Sequence, residues 1–161
     1  MILLTVGTYP LQFDRLIKAL DEAVRDGLVE EEFFAQTGSC RYKPKHMKFA
    51  EMMQKSEFDA CFNAASCIVG HAGMGTISMA LEADKPILVM ARMARYGEHV
   101  NDHQVSTADM FEKLGHVLVA HTASELPEKI KTLKAFVPAR REATPQRVAD
   151  RITEFLQGLV D

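Results

Sequence analysis

Hydrophobic and polar positions follow two rhythms along this chain. Ile2 to Val6 is an almost continuous apolar run ended by Gly7, the pattern of a strand buried on both faces. Phe13, Leu16, Ile17, Leu20 and Val24 then recur at helical spacing, with Asp14 near the start and Gly27 past the end. Phe33 to Gln36 reads as a second strand closed by Thr37-Gly38-Ser39, and Phe49 to Gln54 as a short helix. Ala65 to Val69 is the third expected strand, Thr76 to Glu82 a helix, and Pro86 to Met90 the fourth strand. Asn101 to Leu114 is expected as a long helix ended by Gly115, Val117 to Ala120 as a fifth strand, and Ser124 to Leu133 as a helix. A last amphipathic helix is expected over Ala143 to Leu159, with Pro145 in its first turn and a hinge over Ala135 to Thr144 before it.

Strands alternating with helices predict βαβ units in an α/β fold: a Rossmann-like, doubly wound parallel sheet with helices on both faces and right-handed crossovers. In such sheets ligands lie beyond the carboxyl ends of the strands. Gly7-Thr8 and Gly70 to Thr76 both follow strand ends, so they should share one rim.

Composition narrows the function classes. The 161 residues suit one domain over residues 1–161, with 47% hydrophobic and 25% charged residues, ordinary values for a globular protein. A formal net charge of -3 and a pI near 6.1 give no support for a nucleic-acid partner. Cys40, Cys61 and Cys67 have no metal-like spacing and read as reduced thiols of a cytoplasmic protein. The sequence shows neither a signal peptide nor an apolar run of about 18 residues, so the expectation is a chain that does not itself span a membrane.

Chemistry concentrates between Ile68 and Gln104. The loop Gly70-His71-Ala72-Gly73-Met74-Gly75-Thr76 leads from a strand into a helix, where bare backbone N–H groups and the positive helix end can hold a phosphate. A plain strand-to-helix turn would need small residues too, and no Walker-type Gly-Lys-Ser/Thr follows. Thr8 gains interest only from its place on the same rim. The run Glu98-His99-Val100-Asn101-Asp102-His103-Gln104 opens a helix; Asn101 or Asp102 can cap it, while His103 and Gln104 can bond sugar hydroxyls. No third ligand accompanies His99 and His103, so no metal is expected. No nucleophile elbow or carboxylate pair stands out, and Cys67 and most methionines read as core. Lys43, Lys45, His46 and Lys48 read as a solvated face or a contact for anionic lipid.

Several segments together resemble a known family. They are Leu3 to Thr8 with Gln12 to Leu16, Gln36-Thr37-Gly38, His71 to Thr76, Lys85-Pro86, and Tyr96 to Gln104. Over roughly Ile2 to Leu133 the chain resembles the C-terminal domain of glycosyltransferase family 28, in its small-subunit group. That resemblance implies the donor half of a GT-B fold, binding a UDP-sugar as substrate with no further cofactor. It implies a membrane-associated partner subunit that supplies the acceptor half, a lipid-linked acceptor, and a peripheral location at the membrane through that partner. The reaction implied is inverting transfer of a hexose such as N-acetylglucosamine, galactose or glucuronate, for polysaccharide or glycolipid synthesis. Thr8, Gly73, Met74, Gly75 and Thr76 would hold the diphosphate. Glu98, His99, Asn101, Asp102, His103 and Gln104 would face the sugar or ribose, with His103-Gln104 matching a sugar-reading Gln-Gln pair of related members. His71 is the best local candidate for a catalytic base, although the base is expected from the partner half. One departure is Met79, which stands where the family often has a ribose-gripping carboxylate; Glu82, one turn on, is the candidate substitute. That departure keeps open a non-catalytic, nucleotide-sugar-binding regulatory subunit. A dinucleotide-binding dehydrogenase fits poorly, because Gly70-x-x-Gly73-x-Gly75 lacks the Gly-x-Gly-x-x-Gly order.

Overall fold

The computed structural model describes residues 1–140; the helix expected over Ala143 to Leu159 lies outside the described residues. The elements in chain order are β1 (Ile2–Thr5), α1 (Asp14–Arg25), β2 (Phe33–Gln36), β3 (Lys48–Ala50), α2 (Lys55–Ala64), β4 (Cys67–His71), α3 (Met74–Glu82), β5 (Ile87–Met90), α4 (His103–Lys113), β6 (Leu118–Val119) and α5 (Leu126–Leu133). All strands are parallel, in the order β3-β2-β1-β4-β5-β6. The chain runs outward from β1 to β3, then returns to place β4 on the other flank of β1. The switch point of the sheet therefore falls between β1 and β4, where ligand crevices form in such folds.

Strand alternation divides the core. Ile2, Leu4 and Val6 face Leu16, Ile17 and Leu20 of α1 and Leu126, Ile130 and Leu133 of α5. Leu3 and Ile68 face Phe62 of α2, Ile77 and Ala80 of α3, and Phe111 of α4. Full burial of such a side chain contributes about 1.5–3 kcal/mol, so each of these helical stripes anchors its helix to the sheet.

Two carboxylates on α1 shape the connection from β2 to β3. Asp14 accepts from the backbone N–H of Arg41 at 2.8 Å and of Tyr42 at 3.0 Å. Asp21, fully buried, accepts from the N–H of Lys45 and His46 and from the Tyr42 hydroxyl at 2.7 Å. Burial pushes the Asp21 carboxyl up, but these donors outweigh it and hold it below the usual carboxylate range.

The helix expected over Phe49 to Gln54 is not formed. Lys48–Ala50 is instead a three-residue edge strand paired with β2, and Gln54 is the N-cap of α2, a helix the periodicity did not predict. Glu57 accepts from the Gln54 N–H at 3.0 Å, closing the N-terminus of α2. The two terminal segments expected as one helix over Ser124 to Leu133 are a single 3-10 turn at Ala123–Glu125 and then α5.

Candidate functional site

The switch point is built so that two loops approach closely. Gly70 of β4 pairs with Thr5 of β1, and a Cβ on Gly70 would lie 2.8 Å from the Thr5 carbonyl oxygen. The Thr5 hydroxyl donates to Gln36 Oε1 at 2.8 Å and accepts from the Gly7 N–H at 3.2 Å. Gln36 Nε2 donates to the carbonyls of Gly7 and Glu51, both at 3.2 Å. These bonds tie the ends of β1 and β2 together and hold Gly7 at φ +70, a left-handed conformation that favours glycine.

His71 ends β4 and wedges its ring between the two glycine loops. A Cβ on Gly7 would lie 2.7 Å from His71 Cε1, and one on Gly73 would lie 2.2 Å from His71 Nε2. Neither position can carry a side chain while the ring stays. Burial and the nearby Arg92 guanidinium push the His71 pKa down to about 4, so the ring is neutral at pH 7. Its Nδ1 is buried without a partner among the described residues.

Helix α3 begins on the far side of that ring, with Gly73 as N-cap. The N–H groups of Met74, Gly75 and Thr76 precede the first helical hydrogen bond, which Ile77 N–H makes to the Gly73 carbonyl at 3.1 Å. Gly75 has no atom within 4 Å of where a Cβ would stand. Gly75 and Thr76 of this first turn, whose N–H groups have no helical partner, line a cleft of about 440 Å³ together with Thr8, His71, Phe58 and Met79. Helix polarity adds partial positive charge at this end.

The loop after β5 forms the adjoining part of the rim. Arg92 is fully buried, and its guanidinium donates to the carbonyls of Leu11, Gln12 and Glu98 and, at 2.8 Å, of Val6. It braces the backbone that leads into Gly7. Glu98, expected against the donor, is turned inward instead. Its carboxylate takes Arg15 in a two-pronged pair at 3.0 and 2.8 Å and accepts from the Met93 N–H. The buried group holds two guanidiniums and one carboxylate, so it leaves net positive charge beside the rim.

The other expected residues of this loop divide. Gln104 is buried, and its Oε1 accepts from the Arg92 N–H at 3.2 Å, leaving its amide NH₂ without a partner among the described residues. His99 stacks on Tyr9 with ring centroids 4.5 Å apart and meets His103 edge-on at the same separation. Burial, with His103 and Arg92 nearby, lowers the His99 pKa. Asn101 accepts from the His103 N–H, and Asp102 accepts from the Ala94 N–H at 2.7 Å, so both shape the loop. Met74 is exposed on the first turn of α3. Glu82 lies away from the glycine cleft, in a shallow groove with Asp59, Phe62 and Asn63. The periodicity gave no sign of the bracing roles of Arg92, Arg15 and Gln36, nor of the apolar end of the cleft at Met52, Met53 and Phe58. Among the described residues no group of three or more His, Cys, Asp or Glu is placed to hold a metal ion.

A parallel sheet in this order, with glycine loops flanking its switch point and an open helix end above it, defines a Rossmann-like domain of the kind found in GT-B glycosyltransferases. Acinetobacter baumannii MurG superposes with a TM-score of 0.61 at 17% identity, over 95% of this chain and 49% of that one. The Streptomyces nogalater glycosyltransferase SnogD gives 0.56 at 23% identity, over 82% of this chain and 33% of that one. At these identities the likeness shows the fold. The chain belongs to the glycosyltransferase family 28 C-terminal domain family, whose sequence profile matches residues 1–157. Among curated relatives, the UDP-N-acetylglucosamine transferase subunit ALG13 of Cryptococcus neoformans is 25% identical over 118 residues, 73% of this chain and 58% of that protein. The protein of the same name from Candida glabrata is 34% identical over 95 residues, 57% of this chain and 42% of that protein. The chain thus spans about half the length of the curated relatives it matches.

Proposed function

We propose that this chain is the donor-binding subunit of an inverting glycosyltransferase that takes a hexose from UDP to a lipid-linked acceptor. The observation that carries the reading is the first turn of α3, where Gly75 and Thr76 line the same cleft as Thr8 and the Gly75 Cβ position is open. Negative charge grows on the departing diphosphate as the sugar–oxygen bond breaks. Preorganised amides and a helix end stabilise charge at that place without reorganising. Arg92 keeps the rim electropositive from below, and the free NH₂ of Gln104 and the ring of His103 are the groups suited to the sugar hydroxyls.

A general base must take the acceptor's proton. His71 serves that purpose poorly, since a pKa of about 4 gives little driving force for proton uptake near neutrality. We assign it instead to holding the glycine loops apart, and the base to a membrane-associated partner subunit that brings the acceptor. The curated relatives are named as transferase subunits, which favours a two-component enzyme. No described helix is long and apolar enough to cross a membrane. We assign contact with the lipid-linked acceptor to the partner.

The test is a thermal-shift titration with UDP and UDP-sugars, followed by transfer assays with and without the partner. Ligand at 100 times its dissociation constant should stabilise the fold by about 2.7 kcal/mol. Stabilisation by nicotinamide dinucleotides instead, or full turnover by this chain alone, would overturn the reading. Met79 in the cleft favours one alternative, a non-catalytic nucleotide-sugar-binding or regulatory subunit, which would bind UDP-sugar yet give no sugar transfer when combined with the partner.

A further inference from the structure

The cleft is chemically divided. Its phosphate end has the α3 amides, Thr8 and Thr76; its far end is made by Met52, Met53, Phe58 and Met79. A ribose carries a 2′,3′-diol, and a protein reads the 2′-hydroxyl through an acceptor or a donor placed there, most strongly through a carboxylate. Among the described residues, the buried amide and the carboxylates near the far end are engaged elsewhere. Gln36 uses its carbonyl on Thr5 and its NH₂ on Gly7 and Glu51. Glu51 pairs with Lys43 at 2.6 Å, and Glu57 accepts from the Gln54 N–H. Asp59 pairs with Lys55 at 2.6 Å, and among the described residues Lys55 is the sole charged one lining the cleft. Glu82 shares a separate groove with Asp59, and Met79 borders both spaces, standing between those carboxylates and the glycine cleft. The Thr5 hydroxyl is held by Gln36 and Gly7.

We infer that this site does not read the 2′-hydroxyl and accepts 2′-deoxynucleoside diphosphates as well as ribonucleoside diphosphates. The inference rests on the donor-site reading above and specifies the nucleotide class it takes. A thioether and an aromatic ring contact the sugar ring through dispersion and leave a 2′-hydroxyl without a protein partner. Removing that hydroxyl therefore removes no bond. A charge-assisted acceptor at this place would instead be worth about 10- to 150-fold in affinity.

Calorimetric titration of the full chain with UDP and with 2′-deoxyuridine diphosphate tests this directly. The expected dissociation constants agree within about threefold, a difference under 1 kcal/mol. Met79→Glu should tighten UDP by about tenfold or more and leave the deoxy compound no tighter. Met79→Gln serves as the uncharged version, and Glu82→Ala should change neither constant. UDP binding the wild-type chain more than about tenfold tighter than its deoxy analogue would overturn the inference alone, as would selective loss of UDP affinity in Glu82→Ala. Failure of both diphosphates to bind would overturn the donor-site reading and this inference with it.

Discussion

Gly73 and Gly75 stand two residues apart in one loop, yet the structure demands opposite outcomes when each becomes alanine. At Gly73 the new methyl would sit 2.2 Å from His71 Nε2 and 2.6 Å from its Cδ2. The ring cannot retreat, because Gly7 backs its other side, where an added Cβ would come within 2.7 Å of Cε1. Overpacking of this kind costs about 1–3 kcal/mol, and for a domain of this size each kcal/mol moves Tm by about 2–4 °C. Gly73→Ala should therefore melt about 2–12 °C lower. At Gly75 the methyl meets open space, φ is ordinary, and alanine is the better helix former by up to about 1 kcal/mol. Gly75→Ala should melt at the same temperature or slightly higher. Its methyl nevertheless occupies the approach to the first-turn amides, so saturating UDP, worth about 2.7 kcal/mol to the wild-type fold, should no longer raise Tm. Thermal melts of both variants with and without UDP read all of this. Adding His71→Ala to Gly73→Ala should recover most of the lost stability, since the two groups share one space. A full UDP shift in Gly75→Ala would remove the diphosphate from the α3 amides, and an unchanged melt in Gly73→Ala would refute the wedged ring.

Two further outcomes follow from the buried charges. Glu98→Ala leaves Arg15 without its carboxylate and the Met93 N–H without its acceptor and should cost about 3 kcal/mol in denaturant titration, while UDP affinity of the folded fraction stays within about threefold; a large affinity loss at unchanged stability would return Glu98 to the donor. His71 stays neutral in the fold down to about pH 4, whereas in the unfolded chain it gains a proton below about 6.5. The unfolded state then binds more protons in that window, so stability contributed at neutral pH falls as pH drops from 6.5 to 4, by on the order of 3 kcal/mol relative to His71→Asn; parallel pH profiles of the two proteins would refute it.

The sheet was legible because its central strands are buried on both faces and carry unbroken apolar runs, as Ile2 to Val6 and Ile87 to Met90 do. β3 was not, because an edge strand of three residues has neither a run nor room for alternation. α2 carries Phe58, Cys61 and Phe62 at helical spacing, and Glu57 three residues after Gln54 is half of a capping box. The glutamine in place of serine or threonine hid the boundary. At the rim, the order of strand, glycine loop and helix over Cys67 to Glu82 was legible. The loop's seat for His71 was not, since Gly7 and Gly73 meet one ring from positions 66 residues apart in the chain, a juxtaposition only the β1–β4 pairing creates. Glu98 was misplaced for the same reason, because its partner Arg15 lies 83 residues away on α1.

The rim also bears on why the chain should act with a partner. Three polar side chains there are turned inward, Arg92, Glu98 and Gln104, and brace the loops, while the exposed Asn101 and Asp102 shape the entry to α4. Apolar groups are exposed among them. Met74 at the start of α3 and Tyr96 and Val100 in the loop after β5 are exposed beside the site, Val100 by 75%. Apolar side chains exposed together around a functional rim mark surfaces that another body covers. A facing subunit would bury them, exclude water from the diphosphate, and so strengthen the electrostatic hold of the α3 amides on the leaving group. The same closure would offer a route for a base to reach the site, since His71, neutral near pH 7, is wedged between two glycine loops.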